Sequence, residues 1–211
     1  MAEVTIKTDF GSIKFTLLPD IAPETVRNFS KLAESGFYNG TLFHRIIPGF
    51  MIQGGDPNTK NPDQSMWGQG GPDYQIDNEV NSIKHMRGIV SMARSQDPNS
   101  AGSQFFIVHN DSTFLDGQYT VFGRLATQES FDTLDRIASL QTGQKDIPID
   151  REAAKIINTT GMDRSDIDDL REANAPETSA SGFVMKSDSG PYIDQELGFS
   201  FVPAPGWSVQ N

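Results

Sequence analysis

One run of the chain places a charged side chain among apolar ones with a spacing that invites chemistry: Leu42-Phe43-His44-Arg45-Ile46-Ile47-Pro48-Gly49-Phe50-Met51-Ile52-Gln53-Gly54-Gly55-Asp56. Side chains of an extended chain alternate between faces. Phe43, Arg45 and Ile47 are therefore expected on one face, and Met51 with Gln53 on one face of the next strand. A guanidinium is permanently charged and presents a rigid fork of hydrogen-bond donors. For a lone arginine the plainer reading is nonetheless a stem that covers apolar surface while its head reaches water. His44 reads as a hydrogen-bonded structural histidine rather than a general base, because no serine nucleophile or partnered acid stands near it.

A second run, Gly88-Ile89-Val90-Ser91-Met92-Ala93-Arg94 continuing to Gly102-Ser103-Gln104-Phe105-Phe106-Ile107-Val108, puts Gln104 and Phe106 on one face and Phe105 on the other. Phe114-Leu115-Asp116-Gly117-Gln118-Tyr119 then sets two apolar residues and a tyrosine around an Asp-Gly turn. Taken singly, Phe106, Phe114 and Leu115 are most cheaply explained as core.

These residues need elements to hold them. Residues 4–8 and 12–17 alternate apolar and polar positions around Asp9-Phe10-Gly11, the pattern of a β-hairpin. Pro23 and Glu24 open an amphipathic helix over about 23–35, with Val26, Phe29, Leu32 and Ala33 on one face. Short strand-like runs follow at 42–47, 50–54, 88–92, 103–108, 119–125 and 155–159, and Ser130 is the expected N-cap of a second helix carrying Phe131, Leu134, Ile137 and Ala138. Many strands, two helices and few long crossovers predict a mainly β protein, an antiparallel barrel closed on itself with helices over its ends.

Composition narrows the function classes. The 211 residues suffice for one well-buried domain plus an appendage. With no cysteine there is no thiolate nucleophile, disulfide framework or Cys-ligated metal site. A net charge of −11 weighs against nucleic acid, whose phosphates are bound by clustered Lys and Arg. No stretch approaches the roughly 20 apolar residues of a spanning helix, and MAEVTIKTDFG lacks the basic start and apolar run of a signal peptide, so a cytoplasmic protein without membrane contact is expected. Residues 159–211 hold 9 Asp/Glu against 3 Lys/Arg. That shift divides the chain into a domain over 1–160, an acidic helix and linker over 161–190, and an aromatic hairpin-like tail over 191–211.

The two runs, in this order, closely resemble the cyclophilin-type peptidyl-prolyl cis/trans isomerases. The first matches the family's Phe-His-Arg-Ile-Ile-Pro-Gly-Phe-Met-x-Gln-Gly-Gly-Asp signature, and the second its Ser-Met-Ala…Gly-Ser-Gln-Phe-Phe-Ile signature. The likeness extends to Ala22-Pro23-Glu24-Thr25-Val26-Arg27-Asn28-Phe29 and to Leu115-Asp116-Gly117 with Val121-Phe122-Gly123, and covers about residues 3–159. It implies a closed eight-stranded antiparallel barrel capped by two helices, with a C-terminal extension and a substrate groove on the outer face. It implies a groove of Arg45, Phe50, Met51, Gln53, Ala93, Arg94, Gln104, Phe106, Phe114, Leu115 and Tyr119, with Arg45 catalytic. The expected function is isomerisation of X–Pro bonds in proline-containing peptides and unfolded proteins, assisting protein folding as a monomer, without covalent intermediate, cofactor or metal. The competing reading is a scaffold or chaperone-like module that binds proline peptides without turnover; retention of Arg45 speaks for the enzyme.

Phe114 stands where the best-known eukaryotic members carry Trp, Tyr119 where they carry His and Arg94 where they carry Asn, with one extra residue in the 94–101 loop. Bacterial and archaeal members often look like this. Weak cyclosporin binding follows, because the indole N–H is absent. Residues 197–209 faintly resemble the opening hairpin of a PsbP-like domain, so the tail is expected to be the start of a second domain.

Overall fold

Residues 3–17 pair as β1 (Glu3–Thr8) and β2 (Gly11–Leu17), antiparallel from Glu3 opposite Thr16 to Thr8 opposite Gly11. Val4, Ile6, Ile13, Phe15 and Leu17 all face the core, as strict alternation requires. The computed structural model describes residues 3–161 and the backbone of 192–194 and 199–201. The chain divides into two compact units, Met1–Asn174 and Ala175–Asn211.

Helix α1 (Pro23–Glu34) starts on a proline whose missing N–H is no loss in the first turn. Ala22 offers the N-terminus no side-chain acceptor. Glu79 does so from a distant loop, accepting from the Glu24 and Thr25 N–H groups at 3.0 and 2.8 Å and from Thr25 Oγ1 at 2.7 Å. A carboxylate here also meets the positive end of the helix dipole. Phe29 projects from α1 into an aromatic cluster, with ring centroids of Tyr38, Phe122, Phe105 and Phe15 at 4.8, 5.1, 5.2 and 5.6 Å.

The middle of the chain supplies β3 (Arg45–Ile47), β4 (Met51–Gly54), β5 (Ile89–Met92), β6 (Phe105–Val108) and β7 (Val121–Leu125). Ile47-Pro48-Gly49-Phe50 is the turn between β3 and β4: the Phe50 N–H donates to the Ile47 carbonyl at 3.0 Å, and Gly49 takes φ +76°, which disfavours any side chain. Helix α2 (Gln128–Ala138) begins earlier than expected. Thr127, not Ser130, is its N-cap, its Oγ1 accepting from the Ser130 N–H at 3.2 Å. Ser130 instead ties α2 to β2, donating to the Lys14 carbonyl at 3.0 Å and accepting from the Lys14 N–H at 2.8 Å.

With β8 (Asn158–Thr160) the strands form one antiparallel sheet in the order β3-β4-β6-β5-β7-β2-β1-β8, capped by the apolar faces of α1 and α2. The expected eight strands are all present, but closure is partial. The end strands β3 and β8 share no ladder. The seam is closed by a single bridge, Leu42 to Lys155, and by three flanking backbone bonds: Gly40 to Ile156, Ile156 to Thr41 and Phe43 to Ala154, at 2.8, 2.8 and 2.9 Å.

That seam corrects one reading of the sequence. Phe43 does not share a face with Arg45 and Ile47. The extended ladder of β3 begins only at Arg45, and Phe43, bound to the seam, turns into the core with Ile46. On β4 and β6 strand parity holds: Ile52, Phe105 and Ile107 face the barrel interior, whereas Met51, Phe106 and Val108 belong to a separate apolar cluster on the outer face.

Of the extension, β9 (Tyr192–Asp194) and β10 (Phe199–Phe201) pair antiparallel with Phe199 opposite Asp194. The acidic helix and linker expected over 161–190 fall, from 162 on, outside the described residues.

Candidate active site

Ladder register aligns the outer-face residues in one row. Arg45 on β3 faces Gln53 on β4, Gln53 faces Phe106 on β6, and Phe106 faces Ser91 on β5. Beside this row lies a cavity of about 120 Å³ lined by Arg45, Phe50, Met51, Gln53, Ala93, Arg94, Phe106, Leu115 and Tyr119. Met51, Phe106 and Leu115 are buried and form its apolar floor. A second, larger and more polar cavity of about 390 Å³ shares Gln53, Ala93 and Arg94 and adds Gln104 and the Gly68–Gly71 loop.

Ten of the eleven residues expected at the site thus line one or both cavities. Phe114 lines neither: it is 65% exposed, and its ring leans on Phe50 with centroids 5.4 Å apart. It forms a rim.

The two glutamines are locked in series. Gln104 Nε2 donates to the Gly70 carbonyl at 2.8 Å, which fixes its Oε1 as acceptor for Gln53 Nε2 at 3.0 Å. Gln53 Oε1 is left as a free acceptor for a substrate N–H. The motif's glycines and aspartate serve this arrangement. Gly55 has φ +85°, and a Cβ there would strike the Ser103 carbonyl next to Gln104. The buried Asp56 carboxylate accepts from the Asn58 N–H at 2.7 Å and from the Gly68 N–H, holding the loop that presents Gly70.

Arg94 lies over Tyr119, its guanidinium carbon 4.7 Å from the ring centroid. It donates through Nε and Nη2 to the Gln118 carbonyl at 3.2 and 2.9 Å and through Nη1 to the Ser95 carbonyl at 2.9 Å. No carboxylate pairs with it among the described residues. Arg45 is freer still. Its one hydrogen bond there joins Nε to Asp146 Oδ2 at 3.4 Å, and neither Nη group has a partner.

His44 is buried with neither ring nitrogen hydrogen-bonded, contrary to the expected satisfied histidine. Burial pushes its pKa down, with Asp56 opposing, so the ring is neutral.

Spacing did not single out His85. Its Nδ1 lies 3.1 Å from Asp116 Oδ1 and its Nε2 3.2 Å from Ser91 Oγ, an Asp–His–Ser series. It is not a hydrolytic triad, because His85 and Ser91 are wholly buried and Ser91 Oγ donates to the Thr120 carbonyl at 2.8 Å. Burial lowers the His85 pKa, while the backbone N–H of His85 leads the groups that hold the Asp116 carboxyl below its usual range. The series backs the cavity floor. Only the fold could reveal it, since it joins three separate loops and strands.

The comparisons agree with this geometry. Residues 3–160 match the family model of cyclophilin type peptidyl-prolyl cis-trans isomerase/CLD. A peptidyl-prolyl cis-trans isomerase of Synechococcus elongatus is 42% identical over 145 residues, covering 69% of this chain and 92% of that one. A Streptococcus pyogenes protein named as a bifunctional phosphatase/peptidyl-prolyl cis-trans isomerase is 42% identical over 174 residues; the match covers 69% of this chain and only 36% of that protein. Among solved structures, a Cryptosporidium parvum cyclophilin type isomerase crystallised in the presence of the dipeptide Ala-Pro superposes with TM-score 0.68 at 36% identity, over 76% of this chain and 99% of its own. Through residues 3–160, with the outer-face row of Arg45, Gln53 and Phe106, this chain belongs to the cyclophilin-type peptidyl-prolyl cis-trans isomerase family.

Proposed function

We propose that this domain isomerises X–Pro bonds in exposed segments of polypeptides, assisting protein folding, with Arg45 as the catalytic residue. The X–Pro bond prefers trans by only about 0.5–1 kcal/mol, yet rotation crosses a barrier of roughly 18–20 kcal/mol because amide resonance is lost at the twist. At that twist the proline nitrogen becomes pyramidal and gains a lone pair. A donor held there stabilises the twisted state more than either planar one.

The observation that carries this reading is the pair of unpartnered Arg45 Nη groups beside a small apolar cavity. Met51, Phe106 and Leu115 would take the proline ring, displacing water and so strengthening the Arg45 bond. Gln53 Oε1 would accept a backbone N–H of the peptide, fixing the segment on one side of the bond while the other turns. No proton is transferred and no bond is broken, so the buried His85 need not reach the substrate.

The test is exchange NMR on a short peptide containing Ala-Pro, with and without the full chain. The reading expects exchange between cis and trans signals to accelerate in proportion to added protein. Binding of the peptide without faster exchange would leave a proline-binding module instead.

A further inference from the structure

Arg45's single partner among the described residues stands on an unusual left-handed turn. Lys145 and Asp146 have φ of +58° and +59°, the only described non-glycine residues with positive φ. In that left-handed region Cβ crowds the following carbonyl oxygen, so two such residues in succession are disfavoured. The turn is pinned at its base by Gly143 N–H to the Ile147 carbonyl at 2.8 Å, Ile149 N–H to the Gln141 carbonyl at 2.9 Å and a bridge from Thr142 to Pro148. Its effect is to bring the Asp146 carboxylate against β3.

Stability does not explain the arrangement. The Arg45 and Asp146 side chains are 44% and 45% exposed, and such an isolated pair in water contributes little. Persistent strain without a packing reason points to function. The point of attachment supplies it: holding Arg45 by Nε restrains rotation of the fork about its stem and leaves both Nη groups free.

We propose that Asp146 is the positioning residue for Arg45, a carboxylate held on a left-handed turn so that the guanidinium is oriented before substrate arrives. This rests on the reading of Arg45 as the transition-state donor. Its energetic use is preorganisation: a fork already aligned loses less freedom at the twist.

Glycine separates positioning from structure, because it accepts positive φ. Asp146→Gly in the full chain should keep or raise the thermal midpoint while lowering kcat/KM about tenfold, with peptide affinity unchanged. Asp146→Asn retains an acceptor oxygen and should stay within about threefold of the parent. The Arg45 Nε–H signal, identified by its loss in Arg45→Ala, should exchange faster with water in Asp146→Gly; Asp146→Ala gives the same readout should the glycine variant not fold. Wild-type turnover in Asp146→Gly, alongside a crippled Arg45→Ala, overturns the proposal and spares the role of Arg45. So does an Asp146→Asn as impaired as the glycine variant, since charge rather than orientation would then matter. Wild-type turnover in Arg45→Ala removes the underlying reading itself.

Discussion

His85 and Phe106 lie ring to ring, their centroids 6.0 Å apart and 16° from parallel. One face of Phe106 therefore rests on a fully buried imidazole, whose pKa burial pushes below its ordinary value. Tyr119 closes the edge of the same phenyl ring at 5.7 Å and 87°. The floor of the small cavity is thus braced by a group whose charge state depends on pH.

The first prediction concerns acid. His44 and His85 both titrate, mainly through burial, below their ordinary value of 6.5. Above that pH, folded and unfolded chains are alike in these groups. Below it the unfolded chain binds protons that the native state refuses, so their contribution is intact above about pH 6.5 and is lost as pH falls towards the folded values. The thermal midpoint should drop between pH 7.5 and 5.5, and His44→Phe, which removes one titrating group from the interior, should flatten the slope. Parallel pH profiles for parent and variant would sink the assignment.

Arg45 offers the sharpest test of the mechanism. Arg45→Ala should lower kcat/KM by about a hundredfold, about 2.7 kcal/mol, while peptide affinity changes little. Arg45→Lys keeps the charge but not the planar fork and should fall between. Circular dichroism should show both folded. Catalysis within a factor of about three of the parent in Arg45→Ala would return this residue to surface packing.

How far the sequence carried is clearest at particular residues. The opening hairpin, the stripe of α1 and the shared face of Gln104 with Phe106 were legible, because a strand repeats every two residues and a helix every 3.6. Parity failed at Phe43 because it presumes a continuous strand, and the chain is bent by its seam bonds to residues 154–156. The N-cap moved from Ser130 to Thr127 because both are good caps within one turn, and Ser130 is needed by β2. Glu79 on α1, Asp116 on His85 and Asp146 on Arg45 are contacts across 31 to 101 positions, which no local period encodes.

Phe114 yields the third prediction. Being 65% exposed, with its ring against Phe50, it should be replaceable by Ala with a stability cost within about 0.5 kcal/mol. It bears on ligands instead. Cyclosporin should bind weakly, and Phe114→Trp should improve affinity by about 1 kcal/mol or more through a new N–H donor and added ring area. Calorimetric titration decides it: equal affinities would shift responsibility to the loop from Arg94 to Ala101.

The fourth tests domain organisation. Residues 1–161 contain every strand of the eight-stranded sheet with helices α1 and α2, so that fragment should unfold cooperatively with the thermal midpoint and turnover of the full chain. An unfolded or inactive fragment would make the extension part of the core.

The seam between residues 40–43 and 154–156 gives the barrel a line along which it can breathe. Ladder strands such as β1 and β2 are bonded on both sides, so releasing their amide protons to solvent requires the whole domain to open. The amides of Gly40, Phe43 and Ile156 need only the seam to part, and should exchange with deuterium orders of magnitude sooner. Because β3 stands at the sheet's end beside that line, such an opening would loosen the strand that carries Arg45 before the internal strands β4 and β6. The groove would then keep its grip on proline through fluctuations that momentarily disarm its cation.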